Sequence, residues 1–134
     1  ETDHVSAHWD VLPTVAELAG TTAPEGIDGV SFLPTLLGNA DEQEEHPHRY
    51  WESADRKGWQ AVRMGKWKAH RIGTRSPGRE VVELYDLSND IAEEKNVADE
   101  FPEVLREVRK IMQEGRTGPA TGDTLFLPAP EKKQ

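Results

Sequence analysis

The sequence contains no cysteine, which excludes disulfides, thiolate metal sites and cysteine nucleophiles and leaves the redox compartment undetermined. A membrane-spanning helix needs about 20 consecutive apolar residues, and no apolar run in the sequence approaches that length. No membrane span is therefore predicted. The first residues, Glu1 to His4, contain no signal peptide and no initiating methionine. We therefore expect an excised fragment whose own location the sequence leaves unknown.

Aromatic residues make up only 7% of the chain, but four of them are tryptophans. Disordered chains rarely carry so many large apolar side chains, so the composition predicts a folded, globular protein. A length of 134 residues is enough for one domain, or for one small domain with a piece of a neighbour.

Positive charge is also scarce, with 16 basic residues against 25 acidic ones and a net charge of −9. This balance disfavours nucleic acid as a partner, because phosphate binding needs a concentrated cationic surface. The average hides a segregation, since eight of the 16 basic residues lie between Arg56 and Arg79, where there is no Asp or Glu. The sequence therefore predicts one cationic segment inside an acidic body.

The N-terminal part predicts two short helices. The first spans Asp10–Ala19, with Asp10 as its N-cap, Pro13 in its first turn and Gly20 at its end. Its apolar residues at helical spacing form a predicted buried stripe of Leu12, Val15, Ala16 and Ala19. A second helix is expected from a Ser31 cap to Leu37, followed by an acidic surface loop at 39–47.

Beyond that loop the apolar period changes from helical to two, which is typical of strands. The predicted strands are His48–Ser53, Trp59–Met64, Trp67–Ile72 and Val81–Leu87. A two-residue turn at Gly65-Lys66 joins the middle pair, and residues 75–78 form a second turn. Such closely spaced strands indicate an antiparallel sheet.

A last helix is predicted after Asp99 as N-cap, with Pro102 in its first turn and an apolar stripe that packs on the sheet. The stripe consists of Val104, Leu105, Val108, Ile111 and Met112. The proline-containing tail after Thr117 is not helical, and Leu125–Leu127 is expected to dock as an extended strap. The predicted fold class is α+β, with about four antiparallel strands on a C-terminal helix, preceded by two short helices.

The predicted hairpin places Arg63 beside Lys68 on the sheet face opposite the helix. Two cations directly across a ladder repel each other by a few tenths to about 1 kcal/mol, so an anion is expected nearby. It is either Glu83 on the next strand or a sulfate or carboxylate group of a substrate.

Two groups of residues raise the question of metal binding. His46 and His48 are compatible with one face of a strand, but a zinc site needs about four ligands, so surface histidines are the favoured interpretation. The run 88–90 with Glu93 and Glu94 contains oxygen ligands that suit calcium, yet it lacks the EF-hand pattern. We favour a turn there, since Ser and Asx side chains bond nearby backbone.

Several segments, taken in order, resemble the C-terminal end of an arylsulfatase-like sulfatase of the alkaline-phosphatase-like superfamily. They are WDVLPTVAELAG, IDGVSFLPTLLG, QAVRMGKWKAHR and ELYDLSNDIAEEKNVA. The resemblance implies that residues 1–45 are the C-terminal remnant of the large α/β domain. Residues 46–134 are then the small C-terminal subdomain.

The resemblance also implies a parent enzyme that hydrolyses sulfate esters with a formylglycine and a calcium ion, and that is periplasmic or secreted. The formylglycine arises within a C/S-x-P-x-R motif, and the string Ser76-Pro77-Gly78-Arg79 lacks that spacing. No catalytic residue and no metal ligand is therefore assigned to this chain. Its implied role is a scaffold and possible wall of the substrate cleft, inactive alone.

The candidate substrate-binding residues are His48, Glu52, Arg63 and Lys68. The expected partners are the upstream catalytic domain and a sulfated sugar or aryl sulfate. Two alternatives remain open: a free-standing module that binds sulfated glycans through its cationic segment, and a module that forms a homodimer through its first helix.

Overall fold

A computed structural model of the protein describes residues 1–53, 57–76 and 78–115. The chain divides into two compact units, Glu1–Pro47 and His48–Gln134. Helices and an antiparallel sheet together confirm the predicted α+β class. The predicted turn residue Pro77 and the predicted strap Leu125–Leu127 lie outside the described residues. Among the described helices, none is long and apolar enough to cross a membrane.

The first unit contains two short helices, α1 (Val11–Leu18) and α2 (Leu33–Leu37). One 3₁₀ turn, His8–Asp10, leads into α1, and another lies in the predicted surface loop. Helix α2 begins later than its predicted cap implied, although the Ser31 hydroxyl does accept the Leu33 N–H at 3.2 Å. Gly38 adopts a φ of 87° and ends α2 as predicted.

Asp10 occupies the predicted N-cap position of α1, but its side chain makes no capping hydrogen bond. Its carboxylate turns inward, where it accepts the Ala7 N–H at 2.6 Å and the Val30 N–H at 3.0 Å. His46 Nε2 lies 2.7 Å from the same carboxylate. Asp10 is only 1% exposed, so its side chain forms the buried polar centre of the first unit.

Thr14 extends this polar centre by one turn of α1. Its hydroxyl donates to the Asp10 carbonyl at 2.6 Å and accepts the Phe32 N–H at 3.0 Å. The segment between α1 and α2 also passes very close to the start of α1, since a Cβ on Gly29 would lie 2.3 Å from the Trp9 carbonyl oxygen. Hydrogen bonds and a close backbone approach therefore join α1 to the segment that leads into α2.

The predicted stripe of α1 is not buried in this chain. Leu12 is 53% exposed and Val15 is 55% exposed, whereas Pro13 and Thr14 are the buried residues of the helix. Ala16 is half-buried and Ala19 exposed. The hydrogen bonds of Asp10 and Thr14 to the segment before α2 turn the side of α1 that carries Thr14 inward and leave the predicted stripe outside.

The second unit contains a four-stranded sheet in the order β1-β2-β3-β4, antiparallel throughout. The strands are β1 (Arg49–Ser53), β2 (Trp59–Met64), β3 (Trp67–Ile72) and β4 (Val81–Asp86). The bounds differ from the predicted ones by at most one residue. Gly65 supplies the positive φ, 54°, that the tight turn between β2 and β3 requires.

Helix α3 (Pro102–Glu114) packs on one face of this sheet and closes the core. Val108 and Met112 are buried, and the other three residues of the predicted stripe pack against the same cluster. The N-cap position is Phe101 rather than the predicted Asp99. The Phe101 ring lies 4.7 Å from that of Trp67, so the residue that precedes the helix packs against β3.

The segment after β4 covers the edge of that strand. Asn96 Oδ1 accepts the N–H groups of Leu84 and Ala98, both at 3.0 Å, and the Val97 N–H donates to the Leu84 carbonyl at 2.8 Å. In the loop between β4 and residues 96–98, the Asp90 carboxylate accepts the Glu94 and Lys95 N–H groups. The predicted turn at this position is confirmed.

Candidate functional site

The site residues lie on the face of the sheet opposite α3. Side chains alternate between the two faces of a strand, and Val62, Ala69 and Leu84 occupy the helix-facing side. Their neighbours along the strands therefore share the other face. There the register aligns one row across all four strands, composed of Arg49, Arg63, Lys68 and Tyr85.

The row places three cations side by side, which confirms the predicted juxtaposition of Arg63 with Lys68 and adds Arg49. Arg49 is only 6% exposed. Arg63 Nε is buried and has no hydrogen-bond partner among the described residues. A buried donor without an acceptor costs about 1–3 kcal/mol, and more when it is charged. The Nε donor of Arg63 is therefore available to an anion that reaches this row.

Lys68 is paired with an acid, but the acid is not the predicted Glu83. Its Nζ contacts the Glu93 carboxylate, which reaches the sheet from the loop after β4. Glu83 lies opposite His70 in the register and accepts the hydroxyl of Tyr85 at 3.0 Å. The prediction was wrong because it considered only strand neighbours, whereas the loop brings a carboxylate from 25 residues away.

Glu93 is held in a conformation that non-glycine residues seldom adopt, with a φ of 59°. Its other carboxylate oxygen lies 2.9 Å from His70 Nε2. Burial raises the pKa of Glu93, but hydrogen bonds from Lys68 and His70 outweigh it and leave the pKa below its ordinary value. Contacts with two basic side chains thus offset the strain of the backbone.

Tyr85 ends the row of cations on β4. Burial raises the pKa of its hydroxyl, and the hydrogen bond to the Glu83 carboxylate raises it further. The Tyr85 ring also meets the His70 ring edge-on, with centroids 6.1 Å apart. Tyr85 therefore remains neutral, donates a hydrogen bond to Glu83 and packs against the ring of His70.

The other two candidates, Glu52 and His48, do not join Arg63. Glu52 pairs with Gln60 in the register and so lies on the helix-facing side, where it accepts the Tyr50 hydroxyl at 2.8 Å. His48 is half-buried and precedes β1. The structure brings together Arg63 and Lys68 alone among the four.

The two histidines considered for a metal site separate as well. His46 bonds to Asp10 within the first unit, and its side chain is only 12% exposed, so its interpretation as a surface histidine was wrong. His48 begins the second unit. Across residues 1–53, 57–76 and 78–115, no three His, Cys, Asp or Glu side chains come together as a metal site would require.

The predicted cationic segment is partly neutralised by acids that follow it. Lys66 lies 2.7 Å from Asp86, and Arg71 lies 3.3 Å from Glu80. The hydrogen bond from Lys66, aided by Ser88, lowers the pKa of Asp86 to about 2. Three of the eight basic residues of the segment, Lys66, Lys68 and Arg71, are therefore paired with acids in the folded unit.

The sequence analysis did not place Arg49 in the site, and it considered Glu93 only as a calcium ligand. Arg49 could have been found, since extending the hairpin register by one strand places it beside Arg63. No sequence pattern indicated that Glu93 contacts Lys68, because the position of Glu93 depends on the path of the loop between β4 and residues 96–98.

Comparison with known proteins identifies the kind of enzyme to which this sheet belongs. Residues 1–117 match the family described as N-sulphoglucosamine sulphohydrolase, C-terminal. Arylsulfatase K of Danio rerio is 30% identical over 112 residues, which cover 78% of this chain and 20% of the relative. Arylsulfatase A of Homo sapiens is 32% identical over 133 residues, which cover 82% of this chain and 26% of the relative.

Solved structures share the fold and show the same partial coverage. The crystal structure of Ps i-CgsB matches with a TM-score of 0.65 and 26% identity, covering 84% of this chain and 24% of that one. The chain thus spans only about a quarter of the proteins that it matches. It belongs to the sulfatase family and corresponds to the C-terminal domain of those enzymes.

Proposed function

We propose that this domain supports the catalytic domain of a sulfatase, lines part of its substrate cleft and hydrolyses no sulfate ester alone. The partial coverage of its relatives favours a supporting role, because the matched region is only 20% of arylsulfatase K and most of that enzyme lies outside it. The remaining length of a sulfatase is the partner we propose for this domain.

The observation that carries the cleft proposal is the buried, unpartnered Nε of Arg63 within the row of cations. A guanidinium presents parallel N–H donors that match two oxygens of a sulfate or carboxylate group. Strands position such a group more rigidly than loops do. Arg63 is therefore the residue we propose to bind an anionic group of the substrate.

Lys68 is a weaker candidate, because Glu93 already neutralises its ammonium group. We propose that Lys68 acts through Glu93 and so fixes the electrostatics around Arg63. Glu52 and His48 remain proposed contacts of lower rank, since neither lies with Arg63 on the sheet.

The calcium ion and formylglycine remain proposals for the complete enzyme. The chain has no cysteine and no C/S-x-P-x-R motif, and its described acidic residues do not gather into a metal site. These residues do not fit either group, so no step of the reaction is assigned to them here.

A sulfated sugar is the substrate class that we propose first. One relative, 30% identical over 109 residues, is a delta 4,5-hexuronate-2-O-sulfatase of Bacteroides thetaiotaomicron. Ps i-CgsB, 26% identical, has been solved in complex with k-i-k-neocarrahexaose. The arylsulfatase names of other relatives keep an aryl sulfate as the second class.

The test replaces Arg63 by Gln in the full-length parent enzyme. Loss of a charge-assisted contact of about 1.5 kcal/mol raises KM for a sulfated sugar by roughly tenfold. The matched control is Arg79→Gln, which removes an exposed arginine of the same cationic segment and leaves KM unchanged. An unaltered KM in Arg63→Gln would remove Arg63 from the cleft.

A second measurement addresses the inactivity of the domain alone. The purified 134-residue chain, supplied with calcium, is expected to release no product from an aryl sulfate. Turnover that persists through repeated purification would overturn this part of the proposal.

Dimerisation through α1 is favoured by one observation, the exposure of its apolar side chains, which reaches 67% at Leu18. Light scattering across a dilution series distinguishes a second copy of the chain from the rest of a sulfatase as the partner of α1: a dimer indicates a second copy, and a monomer leaves the rest of a sulfatase.

The free-standing glycan-binding module has less support, because acids pair with Lys66, Lys68 and Arg71. Steep salt dependence of sulfated-sugar binding would favour it.

A further inference from the structure

A polar cleft lies on the other side of the sheet, where β3 and β4 meet the second half of α3. It encloses about 190 Å³. Its walls are formed by Arg71, Glu80, Val82, Arg109 and Gln113. Among the described residues, two arginines and one acid, Glu80, thus line this small cavity.

Arg71 is fixed in place before any ligand arrives. Its Nη1 donates to Gln60 Oε1 at 3.5 Å and its Nη2 to Glu80 Oε1 at 3.3 Å. Gln60 is itself 6% exposed, and its amide group donates to the Tyr50 hydroxyl and the Met112 carbonyl. Two contacts therefore hold the guanidinium in place, and its other N–H donors have no hydrogen-bond partner among the described residues.

The charges around the cavity do not balance. The Glu80 carboxylate has a lowered pKa, chiefly because backbone N–H groups, its own and that of Gly78, hydrogen-bond to it, so it stays ionised. It offsets one of the two arginines. The Arg109 side chain forms no hydrogen bond or ion pair within the part of the chain that the structure describes, so the residues that line the cleft carry one positive charge in excess.

We infer that this cleft binds a monoanionic oxyanion, a sulfate ester or carboxylate carried by an acidic sugar. Two guanidinium groups offer charge-assisted hydrogen bonds to the oxyanion, and the Gln113 amide offers a neutral one. Val82 supplies apolar surface for the sugar that carries it. The site lies opposite the Arg63 row and does not depend on that row, whereas the choice of a sugar as the carrier rests on the substrate class proposed above.

Binding is tested on the full 134-residue chain by NMR titration with glucose 6-sulfate and with glucuronate, at constant ionic strength. Uncharged glucose and sodium chloride are the ligand controls. Shifts are expected at Arg71, Arg109 and Gln113. The variant Arg109→Gln weakens binding roughly tenfold, as expected for one charge-assisted contact. Its matched control is Arg106→Gln, an exposed arginine of α3 outside the cleft, which leaves the affinity unchanged.

The two ligands separate the two sources of the oxyanion. Saturable shifts with glucose 6-sulfate alone assign the cleft to sulfate esters, and shifts with glucuronate alone assign it to carboxylates. Absence of saturable shifts with both would overturn the inference, as would equal shifts with chloride or equal affinities of Arg109→Gln and wild type. Should Arg109→Gln unfold, Gln113→Leu replaces it and is expected to weaken binding less.

Discussion

The two units of the chain are stabilised in different ways. The second closes an apolar core between its sheet and α3, with Val62, Ala69 and Leu84 fully buried. The first depends on one buried carboxylate, that of Asp10, and leaves the apolar side chains of α1 exposed. Burial of apolar surface is the main driving force of folding, so the second unit carries what a stable fold requires and the first does not.

The second unit thus closes a core with its own sheet, whereas the first leaves the apolar side chains of α1 exposed. Exposed contiguous apolar surface on a protein marks an interaction site. The hydrogen bonds to Asp10 give the first unit its shape, whereas we propose that the rest of a sulfatase gives it stability.

The largest effect is expected from Leu84→Ala in the core of the second unit. Removing this fully buried side chain lowers the free energy of unfolding by about 2–5 kcal/mol. The control Leu18→Ala in α1 changes it by only about 0.5 kcal/mol or less, because the side chain is already exposed. Denaturant unfolding measures both, and equal losses would contradict the contrast between the units.

A smaller and more local effect is expected from Asp10→Ala. It removes the acceptor of the Ala7 and Val30 N–H groups and costs about 2–3 kcal/mol within the first unit. Hydrogen exchange is expected to accelerate over residues 1–47 and to stay unchanged in the sheet. The exposed Asp28→Ala is the control, and accelerated exchange in β2 or β3 would show that the units are not independent.

The smallest effect is expected from Glu93→Gln, which removes the charge shared with Lys68 and His70. Because the partners are partly solvated, the cost near neutral pH is about 1 kcal/mol or less. The pKa of Glu93 is lowered from its ordinary 4.5, so this stabilisation is present above that pH and disappears as the pH falls through the folded value.

Unfolding of wild type and Glu93→Gln is therefore compared at a series of pH values from about 7 to about 3. The two curves are expected to converge at the acidic end. A constant difference across the series would mean that the Glu93 side chain acts through packing rather than charge.

Much of the second unit could be predicted because its signals are local. Alternation along β2 and β3, with Gly65 between them, predicted the register that sets Arg63 opposite Lys68. The acids that bind basic side chains were harder to foresee. Glu93 and Asp10 contact residues 25 and 36 positions away, and such contacts depend on how loops travel through space.

The sequence by itself determined the strands, the hairpin and the apolar stripe of α3, because each follows from the conformational preference of neighbouring residues. Only the tertiary structure decided that Asp10 turns inward to His46, that Glu93 rather than Glu83 binds Lys68, and that α1 leaves Leu12 exposed. The partner of a side chain is decided by which groups come close together in the folded chain. The order of residues along the sequence does not specify the distances between such groups.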